Sequence, residues 1–206
     1  MSADVSISDL IDRCRKGEGP AREQLFDRYR NYLRLIAEAQ LGKYLRAKCD
    51  PSDIVQQTML EAHRDFGAFN GRHEPELLGW LRKILAHNLY NEARRYGARQ
   101  RDAGREISLD EMHAGVEHSS LALGQCLADD TPRPSQAAAR REAAVLLADT
   151  LARLPEDYQT VLLLRVFEGL SAEEVGERMN RSAGAVRMLQ LRALTALRTE
   201  MEGSDS

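Results

Sequence analysis

SAEEVGERMNRSAGAVRMLQ, residues 171–190, is the stretch on which the fold turns. Ser171 stands three residues before Glu174, the reciprocal capping pattern that starts a helix. That helix ends near Met179 and Asn180, and Ser182 can cap a final one reaching about Glu200. Val175 and Met179 on the first can pack on Val186 and Leu189 of the second. Two helices joined by so brief a connection, braced by a preceding helix, form a helix-turn-helix over 171–190, whose second helix enters a DNA major groove. The candidates to reach bases are Arg187, Met188, Gln190 and Leu191. Arginine pairs bidentately with guanine and glutamine with adenine, while Met188 or Leu191 can touch a thymine methyl. Arg187, Arg192 and Arg198, with no acidic residue between Ser182 and Arg198, also suit phosphates. The plainer reading is a helical hairpin with a solvated polar face.

Helical spacing extends outward from this motif. A helix runs from Ala137 towards Leu154, and Pro155 sits where a first helical turn accepts proline. The next helix carries Tyr158, Val161, Leu162 and Val166 and stops at Gly169, a left-handed cap. Further upstream the periodicity fades. The run DDTPRPS (129–135) has two prolines that block helix continuation, so 98–136 reads as a flexible linker with no more than a transient helix around Leu121–Leu127.

In the first hundred residues three apolar stripes recur at helical spacing. They are Leu25/Phe26, Tyr29, Leu33, Ile36/Ala37 and Leu41; Ile54/Val55, Thr58/Met59, Ala62 and Phe66; and Leu77/Leu78, Leu81, Ile84/Leu85 and Leu89. A short helix near Ile7–Arg15 precedes them. Three or four such helices bury their stripes only against each other, which predicts a small bundle over 1–97. The fold class expected is all-α, with two small helical domains, 1–97 and 137–202, joined by the linker.

The 206 residues are 43% hydrophobic and 30% charged, the balance of a soluble globular protein. No apolar run approaches a membrane span, and Asp4, Asp9 and Asp12 interrupt any signal-peptide core, so a cytoplasmic location is expected. Cys14, Cys49 and Cys126 form no CxxC pair, which argues against a disulfide framework, a zinc knuckle or any bound metal. Net charge is −3, so attraction to DNA has to come from local patches.

The third stripe carries such a patch on its other side. Lys83, His87, Tyr90, Asn91 and Arg94 recur at three- and four-residue spacing, and Arg82, Arg95, Arg99 and Arg101 widen the positive zone. Just upstream, FNGRHEP (69–75) is a loop by composition, with Phe69 at its head and Trp80 beyond it. Cations beside a polar loop suit single-stranded nucleic acid, with a solvated basic face as the alternative. For Phe69 and Trp80 themselves, packing in the core is the preferred reading. The second stripe's helix shows Asp53, Gln56, Gln57, Leu60, Glu61 and Arg64 on its outer face. Mixed charge around an exposed leucine fits a protein partner better than DNA.

These runs carry a family resemblance. DPSDIVQQTMLEAHRDF (50–66), FNG (69–71), WLRKI (80–84) and NLYNEARR (88–95) resemble the second conserved region of extracytoplasmic-function (ECF) sigma factors, in a planctomycete-like variant. LPED (154–157), FEGLSAEEV (167–175) and GAVRM (184–188) are similar to their fourth region. The resemblance implies a sigma factor that binds RNA polymerase core, directs promoter recognition and initiates transcription, without enzymatic activity or cofactor. The helix at 53–66 would dock, through Asp53, Gln56, Gln57, Leu60, Glu61 and Arg64, on the clamp of the polymerase large subunit. The loop 70–76, with Asn70 and Arg72, and the helix bearing Lys83, His87, Tyr90, Asn91, Arg94 and Arg95 would hold and open the downstream promoter element. The helix from Ser182, through Arg187, Met188, Gln190, Leu191 and Arg192, would read the upstream element. Two features depart from the commonest pattern: a longer loop between Phe69 and Trp80, and the apolar run MLQL after Arg187.

A monomeric free protein is expected, with control lying outside the chain, in an anti-sigma factor, a kinase or expression level. Two other readings compete. A stand-alone helix-turn-helix regulator would be a dimer on palindromic operators. A small helical enzyme would have to draw on Cys49 and Asp50, Glu61 and His63, or His113 and His118, none of which sits in a nucleophile elbow, phosphate loop or HExxH pattern.

Overall fold

The structure is a computed structural model that describes residues 6–44, 49–100, 107–125 and 137–204. It is helical wherever it is regular. The chain divides into two compact units, Met1–Glu117 and His118–Ser206.

The first unit opens with α1 (Ile7–Arg15), capped by the Ser6 hydroxyl, which accepts from the Asp9 amide at 3.1 Å. It buries Leu10, Ile11 and Cys14 against α2 (Gly19–Asp27). α3 (Arg30–Tyr44) follows after a two-residue break, so the stripe Leu25–Leu41 belongs to two helices, and α1 to α5 replace the predicted three or four. The apolar register survives the break: Leu25, Phe26, Tyr29, Leu33, Ile36, Ala37 and Leu41 are all buried. α4 (Pro51–Asp65) starts with proline in its first turn and the Asp50 carboxylate on the Ser52 amide at 2.8 Å, which satisfies a donor the helix cannot. A 3₁₀ turn over Phe66–Ala68 closes it. α5 (Glu74–Gln100) returns alongside, and α3, α4 and α5 pack on one another through Ile54, Val55, Met59, Ala62, Leu77, Leu78, Leu81, Leu85 and Leu89. Each such leucine contributes about 1.5–3 kcal/mol by leaving water.

The sequence predicts a tether over 98–136, and here the structure differs. α5 continues to Gln100, and α6 forms over Leu109–Gln125. Its start has a capping box: Ser108 N donates to Glu111 at 2.9 Å and Glu111 N to the Ser108 hydroxyl at 3.1 Å. Met112, Val116, Ser119 and Leu123 supply a buried stripe. Inside the first unit, Gln40 of α3 donates to the Gly115 carbonyl at 3.0 Å, and Arg82 of α5 to Glu117 at 2.7 Å. Serine at two buried positions, 119 and 120, is what thins the apolar pattern. The proline-containing run 129–135 and Arg101 lie outside the described residues, as does the Arg99 side chain.

The second unit holds α7 (Ala137–Arg153), α8 (Glu156–Leu162), α9 (Ala172–Met179) and α10 (Ala183–Ser204). α10 packs on each of the other three. α8 runs into a wider π turn over Leu163–Phe167, where Glu168 N reaches the Leu163 carbonyl at 3.1 Å. The turn ends at Gly169, whose φ of +67° is the left-handed conformation predicted for a cap.

Candidate nucleic-acid and partner interfaces

The helix-turn-helix is built as its spacing predicts. Ser171 and Glu174 form the capping box, at 2.7 and 3.1 Å, and the Ser171 amide holds the Glu174 carboxyl below its ordinary pKa. Asn180 takes the left-handed conformation (φ 54°), and Arg181 N then reaches back to the Gly176 carbonyl at 2.8 Å. The turn is so tight that a Cβ on Gly176 would stand 2.6 Å from the Arg181 carbonyl oxygen. Val175 and Val186 are fully buried between the two helices. Ser182 accepts from Ala185 N at 3.2 Å and starts α10.

On α10 the residues expected to meet DNA separate into two groups. Arg187, Met188, Leu191 and Arg192 are exposed, with Met188 and Leu191 at 51% and 58%. Gln190 is half-buried, and its Oε1 accepts from Arg165 Nε at 3.0 Å. Arg165, in the π turn, also donates to the Leu170 carbonyl. No periodic pattern in the sequence marks Arg165. The arginines around the motif are engaged by carboxylates: Arg187 with Glu173 at 3.1 Å, Arg178 with Glu168 and Arg181 with Asp157 at 2.5 Å.

In the first unit Lys83, His87, Asn91, Arg94 and Arg95 form an exposed face of α5. Tyr90 is half-buried, and the Arg94 guanidinium lies over its ring at 5.9 Å. Arg82 does not widen this zone. It shares the inner register with Leu78, Leu85 and Leu89, and is 5% exposed. Its Nε donates to Glu117 and its Nη1 to the Tyr32 hydroxyl at 3.2 Å, partners that make burial of the cation tolerable. Phe69 is buried and Trp80 half-buried, their rings 5.1 Å apart, so both aromatics serve packing. Asn70 and Arg72 are exposed. The Glu76 carboxylate accepts the Arg72 and His73 amides at 2.6 and 3.1 Å, and those amides lower its pKa.

On α4, Asp53, Gln56, Gln57, Leu60 and Arg64 are exposed, Leu60 at 59%. Glu61 is half-buried, bonded to Gln57 at 2.8 Å and to the Asn88 amide at 3.2 Å. Asn88, which heads the run 88–95 but has no surface role, also donates to Thr58 at 3.2 Å and so ties α5 to α4. A cleft of about 470 Å³ opens between these helices, lined by Asp53, Gln57, Glu61, Asn91 and Arg95 among others.

Cys49 also lines that cleft, where burial raises its thiol pKa and disfavours the nucleophilic thiolate. Among the described residues no group of three or more His, Cys, Asp or Glu could hold a metal. No described helix is long and apolar enough to cross a membrane.

A family model described as ECF sigma factor matches residues 4–203. The chain is similar to the ECF RNA polymerase sigma-E factor of Haemophilus influenzae, 29% identical over 203 residues and covering 98% of both proteins. It is also similar to the RNA polymerase sigma-H factor of Pseudomonas aeruginosa, 27% identical over 193 residues, which cover 91% of this chain and 90% of that one. Among solved structures it is similar to chains of the RsbN–BldN complex (TM-score 0.30, 21% identity, 93% of this chain and 99% of that one) and of the Sigma-28/FlgM complex (TM-score 0.36, 18% identity, 91% and 98%).

Proposed function

The chain belongs to the ECF sigma factor family, and from that premise we propose how its surfaces divide the work. As a sigma factor it binds RNA polymerase core and directs promoter recognition and transcription initiation; it is an initiation factor and not an enzyme. The outer face of α4, centred on Leu60 with Asp53, Gln56, Gln57, Glu61 and Arg64, docks on the clamp of the polymerase large subunit. The loop with Asn70 and Arg72, together with Lys83, His87, Tyr90, Asn91, Arg94 and Arg95, engages and opens the downstream promoter element. The start of α10, through Ser182, Arg187, Met188, Leu191 and Arg192, meets the upstream element, with Gln190 reaching DNA only if it leaves Arg165. The protein acts in the cytoplasm.

The observation that carries this division is Leu60. A leucine 59% exposed on a face of mixed charge, one helix away from an exposed basic face, supports a protein-binding role for the first and a nucleic-acid role for the second. Each contact is weak alone, and linkage of the two units through one chain raises the effective concentration of the second once the first is bound. A pull-down of core polymerase tests it, paired with transcription from a promoter library. Leu60→Asp is expected to abolish retention of core, while Lys83→Ala with Arg94→Ala retains core and fails to open promoters. Retention of core by Leu60→Asp at wild-type strength would remove α4 from the interface. The dimeric-regulator reading finds no support in a family match that runs through both units.

A further inference from the structure

The loop between α4 and α5 is fastened from four sides. Phe69 is buried, 5.8 Å from the Phe66 ring and 5.1 Å from Trp80. Glu76 accepts the Arg72 and His73 amides. Tyr29, at the start of α3, donates its hydroxyl to Glu74 at 2.8 Å. The fourth fastening comes from α1: Arg15 Nη2 donates to the Gly71 carbonyl at 2.6 Å, across 56 positions of sequence. At that point the backbone lies flat on its surroundings, since a Cβ on Gly71 would stand 2.4 Å from Phe69 Cζ and 2.7 Å from Glu76 Cβ.

The fastenings leave a defined remainder. Asn70, Arg72 and His73 keep their side chains exposed. Arg15 is well suited to hold the backbone beneath them. A guanidinium-to-carbonyl bond is charge-assisted and stronger than a neutral one. Asp12 lies 3.7 Å from Arg15 Nη1 and steadies the guanidinium without taking Nη2. α1 itself is anchored by Leu10, Ile11 and Cys14, each no more than 1% exposed, so the arginine extends from a fixed post.

We propose that Arg15 is a positioning residue for promoter opening: by gripping the Gly71 carbonyl it holds Asn70 and Arg72 in the arrangement that receives an unstacked base. The inference rests on the reading that this loop takes part in opening. Its physical basis is preorganisation. A loop ordered before DNA arrives does not charge its ordering entropy against capture of the base, and base capture has to offset the unstacking.

The test uses the full-length protein with core polymerase and compares Arg15→Ala, Arg15→Lys and the double substitution Asn70→Ala with Arg72→Ala. Three quantities are measured: core affinity, the rate of opening of a duplex promoter followed by a fluorescent base, and the same rate on a promoter pre-melted by mismatches. Arg15→Ala is expected to slow duplex opening about tenfold, the scale of one lost charge-assisted bond. Core affinity should not change, the defect should narrow on the pre-melted promoter, and Arg15→Lys should recover most of the rate. A wild-type opening rate in Arg15→Ala, with the loop pair slow, overturns the inference and leaves the loop's role standing. Equal slowing on both templates, or a parallel loss of core affinity, marks a general structural role and also overturns it. If the loop pair opens promoters normally, the loop reading falls, and a slow Arg15→Ala then acts by another route.

Discussion

Arg82 of the first unit and the arginines around the helix-turn-helix of the second are held in opposite ways. In the first, Arg82 is drawn into the core against Tyr32 and Glu117, while Lys83, His87 and Arg94 on the same helix are left to solvent. In the second, Arg181 and Arg187 stay near the surface and are met there by Asp157 and Glu173, while Arg178 reaches a Glu168 carboxylate that is only 4% exposed. A cation bonded in the interior sets shape, because removing its partners leaves an unpaired charge away from water. A cation paired at the surface sets availability, because the pair is weak and a phosphate or base can exchange for the carboxylate. On the proposed division of surfaces, Arg82 shapes a preformed face, and Arg187 belongs to a face that contact with DNA would release.

The largest effect that could break this contrast is on Arg82. Arg82→Ala removes a 5% exposed cation with its bonds to Glu117 and Tyr32, and is expected to cost about 3 kcal/mol of stability. Glu117→Gln should cost less than half as much, since the Gln oxygen can still accept from Arg82, the Tyr32 bond remains, and position 117 is half exposed. Urea denaturation of both variants checks the ratio. Equal and small losses would mean that Arg82 has no structural office and belongs with its exposed neighbours.

Next in size is Gly176→Ala. The added methyl would stand 2.6 Å from the Arg181 carbonyl, a backbone atom that cannot swing aside. About 2 kcal/mol is expected from overpacking at this turn. The loss should fall on the second unit, read as faster hydrogen exchange in α9 and α10 with α4 and α5 unchanged. Slowing of exchange would show that the turn relaxes without harm to the pairing of Val175 with Val186.

How much of this was legible in the sequence depends on the range of the interactions involved. The helix-turn-helix could be read because its determinants lie within twenty residues: the capping pair Ser171 and Glu174, the valines, and Ser182 at the start of the last helix. The apolar stripes of α4 and α5 were equally open, since burial recurs with the helical period. α6 was not, although Ser108 and Glu111 state its start, because Ser119 and Ser120 occupy buried positions where an apolar residue is expected. Arg82 was read as part of the basic face because charge outweighed register, whereas its spacing from Leu78 and Leu85 already put it inside. Arg15 on Gly71 and Arg165 on Gln190 leave no periodic trace, for hydrogen bonds across 56 and 25 positions exist only once the helices have packed. The residues of α10 expected to face DNA were named as a group; which of them is held by a neighbour follows from the tertiary structure alone.

Arg187 sharpens the surface half of the comparison. Arg187→Ala is expected to weaken use of an intact upstream element about tenfold, the value of one good base contact. Glu173→Gln frees the same guanidinium and should strengthen it about twofold, since an exposed pair at 3.1 Å holds well under 1 kcal/mol. Transcription titrated against promoters with and without the upstream element measures both. Weaker use of the element in Glu173→Gln would mean that the carboxylate orients Arg187 for DNA and does not compete for it.

The smallest effect is a difference in response to acid. His63 on α4 lies edge-on to Phe26 at 4.6 Å, and burial first, then the Arg22 cation, lowers its pKa. The fold therefore binds the His63 proton more weakly than the unfolded chain, which takes it up near the ordinary value of about 6.5. Below that value the unfolded state binds more protons, so the first unit loses stability as pH falls from about 6.5 towards the lowered value. Glu38 in the same unit works the other way: burial raises its pKa, so the fold gains stability as pH falls through that raised value towards about 4.5. Glu76 and Glu174, both lowered by the amides they accept, contribute losses only below about 4.5, one in each unit. Between about pH 6.5 and 5 the histidine contribution therefore falls on the first unit, and His63→Asn should flatten the acid limb of that unit's unfolding midpoint while leaving the second unit's profile unchanged. An unaltered limb in His63→Asn would show that His63 stays hydrated enough to titrate as it does in the unfolded chain.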